Sequence, residues 1–224
     1  MFSIDTEITP ELEADLKRAD IIIAHSWNEV SLKSETLKDP LSALTASQNL
    51  DHLLLRWEGY DTTWAELKGK KVLELASGSI FSRNFLCTYY PHFSRLCSLN
   101  GADVIAMDIN PQGKLDQQLF TGVKVDIINL VMEGGLHNHP LLSKATFDII
   151  NSTNFVGWNM LPDVEDYLRS TTPRITREEF ENKLLKQCAE LLSEEGIMTI
   201  DTRDRNYMPI YYVKSEGQLI KLPD

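Results

Sequence analysis

The stretch from Val72 to Asp108 restricts the fold more than any other part of the chain. Val72-Leu73-Glu74-Leu75 is a short apolar run of strand character, and Ala76-Ser77-Gly78 is a turn of small residues. Phe81 to Tyr90 suits a helix, Pro91 interrupts it, and His92 to Leu99 suits a second helical piece. Asn100-Gly101 is a turn, and Ala102 to Met107 is a second strand that closes on Asp108. A strand, a Gly-containing turn, a helix and an acid-ended strand make the ligand-binding start of an α/β fold.

The rest of the chain continues the alternation. Val123-Lys124-Val125 reads as a third strand ending at Asp126, and Phe147 to Ile150 as a fourth ending at Asn151-Ser152-Thr153-Asn154. Thr176 with Glu179 is a capping box, and Phe180, Leu184, Leu185, Cys188, Leu191 and Leu192 form the apolar face of the helix it opens. Gly196 stops that helix, and Ile197 to Ile200 is a fifth strand. Ile210 to Leu222 reads as a hairpin turning at Glu216-Gly217. The first third lacks strands. Thr9-Pro10-Glu11 and Asp39-Pro40 are helix starts, with Leu12, Leu16, Ala19 and Ile23 on one face of the first helix. Leu41, Leu44, Leu54 and Trp57 suit an amphipathic second helix ending near Gly59. The expected fold is α/β, a three-layer sandwich with a mainly parallel, doubly wound sheet and an N-terminal helical cap. Residues 1–68 would be the cap and 69–224 the core, packed as one compact unit.

Composition narrows the function classes. The net charge of −11 argues against a general nucleic-acid binder, which needs a basic face to neutralise phosphates. Met1 to Thr9 carries Asp5 and Glu7 and has no leader-like apolar core, and Ile21 to Ala24 is too short to span a membrane. Cys87, Cys97 and Cys188 lack metal-like spacing and read as reduced thiols, so a cytoplasmic location with no membrane partner is expected. His137 and His139 lie in a loop beside Gly134-Gly135 without a clustered third ligand, so no metal site is expected.

In a parallel α/β sheet, ligands sit outside the carboxyl ends of the strands. Glu74, Asp108, Asp126 and the Asn151-Ser152 pair fall at those ends. Small residues after strand one let a ligand approach the backbone, and an acid closing strand two can take both hydroxyls of a ribose. An acid closing strand three can accept from the amino group of a base. Together these residues describe a pocket for an adenosine-like ligand.

On these residues the chain resembles the class I S-adenosylmethionine-dependent methyltransferases. Val72 to Ser82 is similar to their first motif, an acid followed by a glycine-rich turn, and Val104 to Asn110 to their acid-ended second strand. Val125-Asp126-Ile127 resembles the adenine-contacting motif, Phe147 to Asn151 the fourth strand, and Leu191 to Ile197 the helix and turn before strand five. The resemblance covers about Lys71 to Asp201. It implies the strand order 3-2-1-4-5, which the C-terminal hairpin extends. S-adenosyl-L-methionine is the implied cofactor. Glu74 would approach its methionine end, with Ala76, Ser77 and Gly78 as the turn beneath it. Asp108 with Ile109 would hold the ribose side, Asp126 and Ile127 would bracket the adenine, and Asn151 and Ser152 would lie near the sulfonium.

The chain departs from the family pattern in three places. Ala76 stands for the first family glycine, and β-branched Ile80 stands for the third. The distance from Glu74 to Asp108 is long, with the excess at residues 87–99, read as an insertion or helix extension. The chain after Asp201 has room for only the hairpin.

The implied activity is methyl transfer to a small molecule or a protein side chain. Such a displacement can be catalysed by alignment and proximity, so no fixed catalytic residue is named. Asn151-Ser152-Thr153-Asn154 is not the Asn-Pro-Pro-aromatic motif of enzymes that methylate nucleic-acid amino groups, which again argues against that acceptor. Asn154, Trp57, Tyr60 and Asp201 are candidates to face substrate. Trp57 and Tyr60 read first as packing of the helices on the sheet, and Asp201 at least as well as part of a solvated charge run. The alternative function is a non-catalytic, methyltransferase-like binding or regulatory protein. A nicotinamide-dependent oxidoreductase is disfavoured because its Gly-x-Gly-x-x-Gly turn is missing.

Overall fold

A computed structural model describes residues 40–58, 64–77, 91–114, 116–152, 170, 175–200 and 209–223. In chain order the elements are α1 (Pro40–Glu58), β1 (Lys71–Leu75), α2 (His92–Leu99), β2 (Asp103–Asp108) and the short α3 (Asp116–Leu119). They continue with β3 (Thr121–Lys124), α4 (Ile127–Glu133), β4 (Phe147–Ser152), α5 (Arg177–Leu191), β5 (Leu192–Ile200), β6 (Ile210–Ser215) and β7 (Gln218–Lys221). Single turns of 3-10 helix lie at Trp64–Leu67 and Leu136–Asn138. The expected helices at residues 9–24 and 81–90 lie outside the described residues.

One sheet runs in the order β3-β2-β1-β4-β5-β6-β7. β1 to β5 are parallel, and β6 and β7 add as an antiparallel hairpin. This is the doubly wound order expected from the resemblance. Strand order reverses between β1 and β4, where a parallel sheet opens a crevice at its carboxyl edge.

The central strands are apolar on both faces because helices cover both. On one face Val72, Val104, Ala106, Ile149 and Ile197 pack under Leu50, Leu53 and Leu54 of α1 and Phe93, Leu96 and Cys97 of α2. On the other face Leu73, Leu75, Met107, Ile150 and Met198 pack under Ile127 and Val131 of α4 and Phe180, Leu184 and Cys188 of α5. Three layers result, with α1 sharing the core of the sheet.

Local chemistry sets the element ends. The Thr176 capping box forms: the Thr176 N–H donates to Glu179 Oε2 at 2.7 Å, and the Glu179 N–H donates to Thr176 Oγ1 at 3.2 Å. The hairpin turns where expected, with both Glu216 (φ 52°) and Gly217 (φ 77°) left-handed, as a two-residue type I′ turn requires.

Two boundaries differ from expectation. Leu192 belongs to β5 rather than to the helix face, because α5 runs directly into the strand. Gly196 does not stop the helix. It lies inside an irregularity of β5 that is absorbed at Glu195 (φ 64°), and a Cβ on Gly196 would sit 2.9 Å from the Ser193 carbonyl oxygen. Strand three ends at Lys124, so Asp126 follows the strand and caps α4.

Candidate functional site

Strand register brings polar residues together near the carboxyl edge. Glu74 of β1 pairs with Asn151 of β4, Asn151 with Thr199 of β5, and Thr199 with Tyr211 of β6. Glu74, Asn151 and Thr199 each lie two residues beyond a strand residue packed under α1 and α2, and Tyr211 packs there itself, so period-two alternation puts the row on that face.

Glu74 is only 2% exposed. Its Oε2 accepts from the Ser94 backbone N–H at 3.1 Å and from the Ser94 hydroxyl, and its Oε1 accepts from Asn151 Nδ2 at 3.1 Å. Burial pushes its carboxyl up to about 7, the donors from Ser94 and Asn151 pull it back, and the nearby Asp108 charge adds a further upward push. Asn151 Oδ1, Ser152 Oγ, Thr199 Oγ1 and the Tyr211 hydroxyl are buried without a hydrogen-bond partner among the described residues. Buried polar atoms are nearly always satisfied, so a cluster of exceptions at one sheet edge requires an explanation.

The turn after β1 is held against β2. The Ser77 N–H donates to the Met107 carbonyl at 3.1 Å, and Gln112 Nε2 donates to Ser77 Oγ at 3.0 Å. Gly122 of β3 makes room for Gln112, since a Cβ there would lie 2.5 Å from Gln112 Cγ. Ala76 adopts φ 55°, so this turn uses a left-handed non-glycine residue. Alanine accepts that conformation at a cost of about 1–2 kcal/mol.

Asp108 is 6% exposed, and its Oδ1 accepts from the Asn110 backbone N–H at 2.8 Å. Ile109 beside it is 58% exposed, an apolar side chain open to solvent next to Asp108. Asp126 caps α4: Oδ1 accepts from the Asn129 N–H at 3.1 Å and Oδ2 from Asn129 Nδ2 at 2.8 Å. The Ile127 side chain is buried in the core between the sheet and α4. The structure thus groups Glu74, Ser77, Asp108, Asn151 and Ser152 at the ends of β1, β2 and β4, with Asp126 and Ile127 beyond β3. Gly78, Tyr60, Asn154 and Asp201 lie outside the described residues, as does Ile80.

Trp57 is elsewhere. Its Nε1 donates to the Glu195 carbonyl at 2.6 Å, and Lys70 Nζ lies 4.4 Å from its ring centroid. Lys70 precedes β1 and Glu195 precedes the regular part of β5, so Trp57 packs at the amino edge of the sheet, away from the Glu74 row. A groove of about 540 Å³ also opens toward that edge, between the starts of β2 and β3 and α3. The 87–99 segment supplies α2, which roofs Glu74 through Ser94 and carries a buried ion pair, Arg95 to Asp116, at 2.7 and 2.9 Å. His137 is exposed, and no metal-binding group of residues occurs among the described residues.

Sequence reasoning missed Ser94, Thr199 and Tyr211. Thr199 was detectable as the polar interruption of Ile197-Met198-Thr199-Ile200. Ser94 carried no comparable signal, because its role depends on how α2 lies on β1.

Fold and site together define a doubly wound α/β protein with polar chemistry gathered at its carboxyl edge. No family model matches the chain, and no curated protein matches it. Solved structures do. The chain is similar to a TehB-like SAM-dependent methyltransferase from Corynebacterium glutamicum, with 18% identity over 73% of this chain and 74% of that one, at a TM-score of 0.37. It is similar to the N-methyltransferase NodS from Bradyrhizobium japonicum, with 13% identity over 74% of this chain and 70% of that one, at a TM-score of 0.41. A third likeness is to an S-adenosylmethionine-dependent methyltransferase from Clostridium acetobutylicum, with 12% identity over 79% of this chain and 78% of that one, at a TM-score of 0.32. The fold class rests on strand order and direction within this chain.

Proposed function

We propose that the chain is an S-adenosylmethionine-dependent methyltransferase acting on a small molecule or a protein side chain. One observation carries this reading. Two buried carboxylates, Glu74 and Asp108, lie at the ends of adjacent parallel strands, and the next strand brings up Asn151 Oδ1 and Ser152 Oγ, buried and without a partner among the described residues.

These groups fit the cofactor. Asp108 is an acceptor suited to ribose hydroxyls, and the exposed Ile109 offers an apolar plate for a base. Glu74 supplies negative charge for the cationic methionine end, and Asp126 with Ile127 marks the adenine side. The turn at Ala76 and Ser77, with Gly78, lets the ligand approach the backbone. When bound, the cofactor supplies an electrophilic methyl group. The residues named here bind and orient it, and alignment of an incoming nucleophile does the rest of the work. The net charge of −11 disfavours a nucleic-acid acceptor.

Asp108→Ala should weaken S-adenosylmethionine binding at least about tenfold, the scale of a lost charged hydrogen bond, while circular dichroism shows the fold intact. Calorimetric titration of wild type and variant checks this. An unchanged affinity would remove Asp108 from the site.

A further inference from the structure

We propose that Ser94, Glu74 and Asn151 form a positioning relay: the ionised Glu74 carboxylate, held by Ser94, orients the Asn151 amide so that Oδ1 faces the cationic end of a bound S-adenosylmethionine. This rests on the reading under Proposed function and adds two things to it, a positioning role for Ser94 and a dependence on the charge of Glu74.

The geometry sets the direction of the relay. A carboxylate only accepts hydrogen bonds, so the Asn151 atom facing it must be Nδ2, as observed at 3.1 Å. That leaves Oδ1, buried and without a partner among the described residues, as an acceptor for an external donor. Ser94 supplies the opposing grip through its N–H and its hydroxyl. A protonated Glu74 carries an O–H that competes for these partners and removes the negative charge beneath a cationic ligand.

The surroundings leave Glu74 free to titrate. From β2 it faces Asp108, whose charge favours the protonated form. From α2 it faces Cys97, whose thiol is pushed well above its usual range by burial and by Glu74 itself, so it stays neutral. Arg95 on α2 is bound by Asp116 of α3, and buried His92 is pushed down to about 3 and is neutral. β4 contributes the amide of Asn151. With its carboxyl at about 7, Glu74 changes charge in the neutral range, and a bound cation would draw it toward ionisation.

Two measurements test the relay. The first is titration of S-adenosylmethionine into wild type and Glu74→Gln between pH 6 and 8. Relative to Glu74→Gln, wild type should bind about tenfold more weakly at pH 6 than at pH 8, the effect of one linked proton with a midpoint near 7. The second needs no cofactor. The side-chain amide resonances of Asn151 should move through a titration with its midpoint near neutrality, and Ser94→Ala should shift that midpoint upward. Parallel pH profiles in wild type and Glu74→Gln, or an Asn151 amide unmoved between pH 5 and 8.5, would overturn the relay. Failure of S-adenosylmethionine to bind at any pH would overturn the cofactor reading, and the amide titration would then decide whether the Ser94–Glu74–Asn151 coupling exists.

Discussion

The two edges of the sheet treat polar groups differently. At the amino edge the main polar contacts close within the chain, with Ser98 Oγ at the end of α2 the exception. Trp57 Nε1 reaches the Glu195 carbonyl, the Lys71 N–H reaches Asp148 Oδ2 at 2.8 Å, and Asp103 is tied to Lys70 through the backbone. At the carboxyl edge Glu74 is buried without a cationic partner among the described residues, and Asn151, Ser152 and Thr199 keep unpartnered oxygens. Groups of the first kind hold the fold together. Those of the second kind cost stability, which makes them the candidates for binding.

Substitutions should therefore act in opposite directions on the two kinds of group. The largest loss is expected where a closed pair is opened. Asp116→Ala removes the carboxylate from the buried Arg95 ion pair and should cost about 3–5 kcal/mol in denaturant unfolding. Glu74→Gln should act the other way at alkaline pH. Glu74 has a folded-state pKa raised from 4.5 to about 7, so its contribution is fully present below 4.5 and is lost as pH rises through 7. At pH 8 the substitution should therefore stabilise by about 1–3 kcal/mol, with the gain gone below about pH 4.5. Equal stability of the two proteins at pH 8 would show that Glu74 is not a buried, unpaired charge.

Smaller effects should divide the same way. Trp57→Phe removes a made hydrogen bond and should lose about 1 kcal/mol without altering ligand affinity. Thr199→Val removes an unmade one and should hold or gain stability by up to about 1 kcal/mol. If both variants lose stability equally, Thr199 has a partner in solution. Ala76→Gly relieves a left-handed alanine and should gain about 0.5–1 kcal/mol in thermal unfolding.

Much of the fold was legible because strands of a parallel sheet are short apolar runs with acids at their ends, and the hairpin turn carried its own signature in Glu216-Gly217. The grouping of polar residues at the candidate site was legible as far as Glu74, Asp108 and Asn151, each at or next to a strand end. Thr199 and Tyr211 required the register, which no linear pattern specifies. Ser94 required the placement of α2, which an unusually long connection between β1 and β2 conceals. Trp57 packs on the sheet, as its favoured reading has it, but which end it packs at was not legible. An aromatic near strand one in sequence can pack at either end of that strand, and here it packs at the amino edge.

The most direct test of the site at the carboxyl edge is calorimetric titration of S-adenosylmethionine into the full chain at pH 8. Saturable one-to-one binding, weakened at least about tenfold by Asp108→Ala, is the expected result. Folded protein that gives no heat up to high micromolar cofactor would contradict the assignment of this edge as a methyl-donor site.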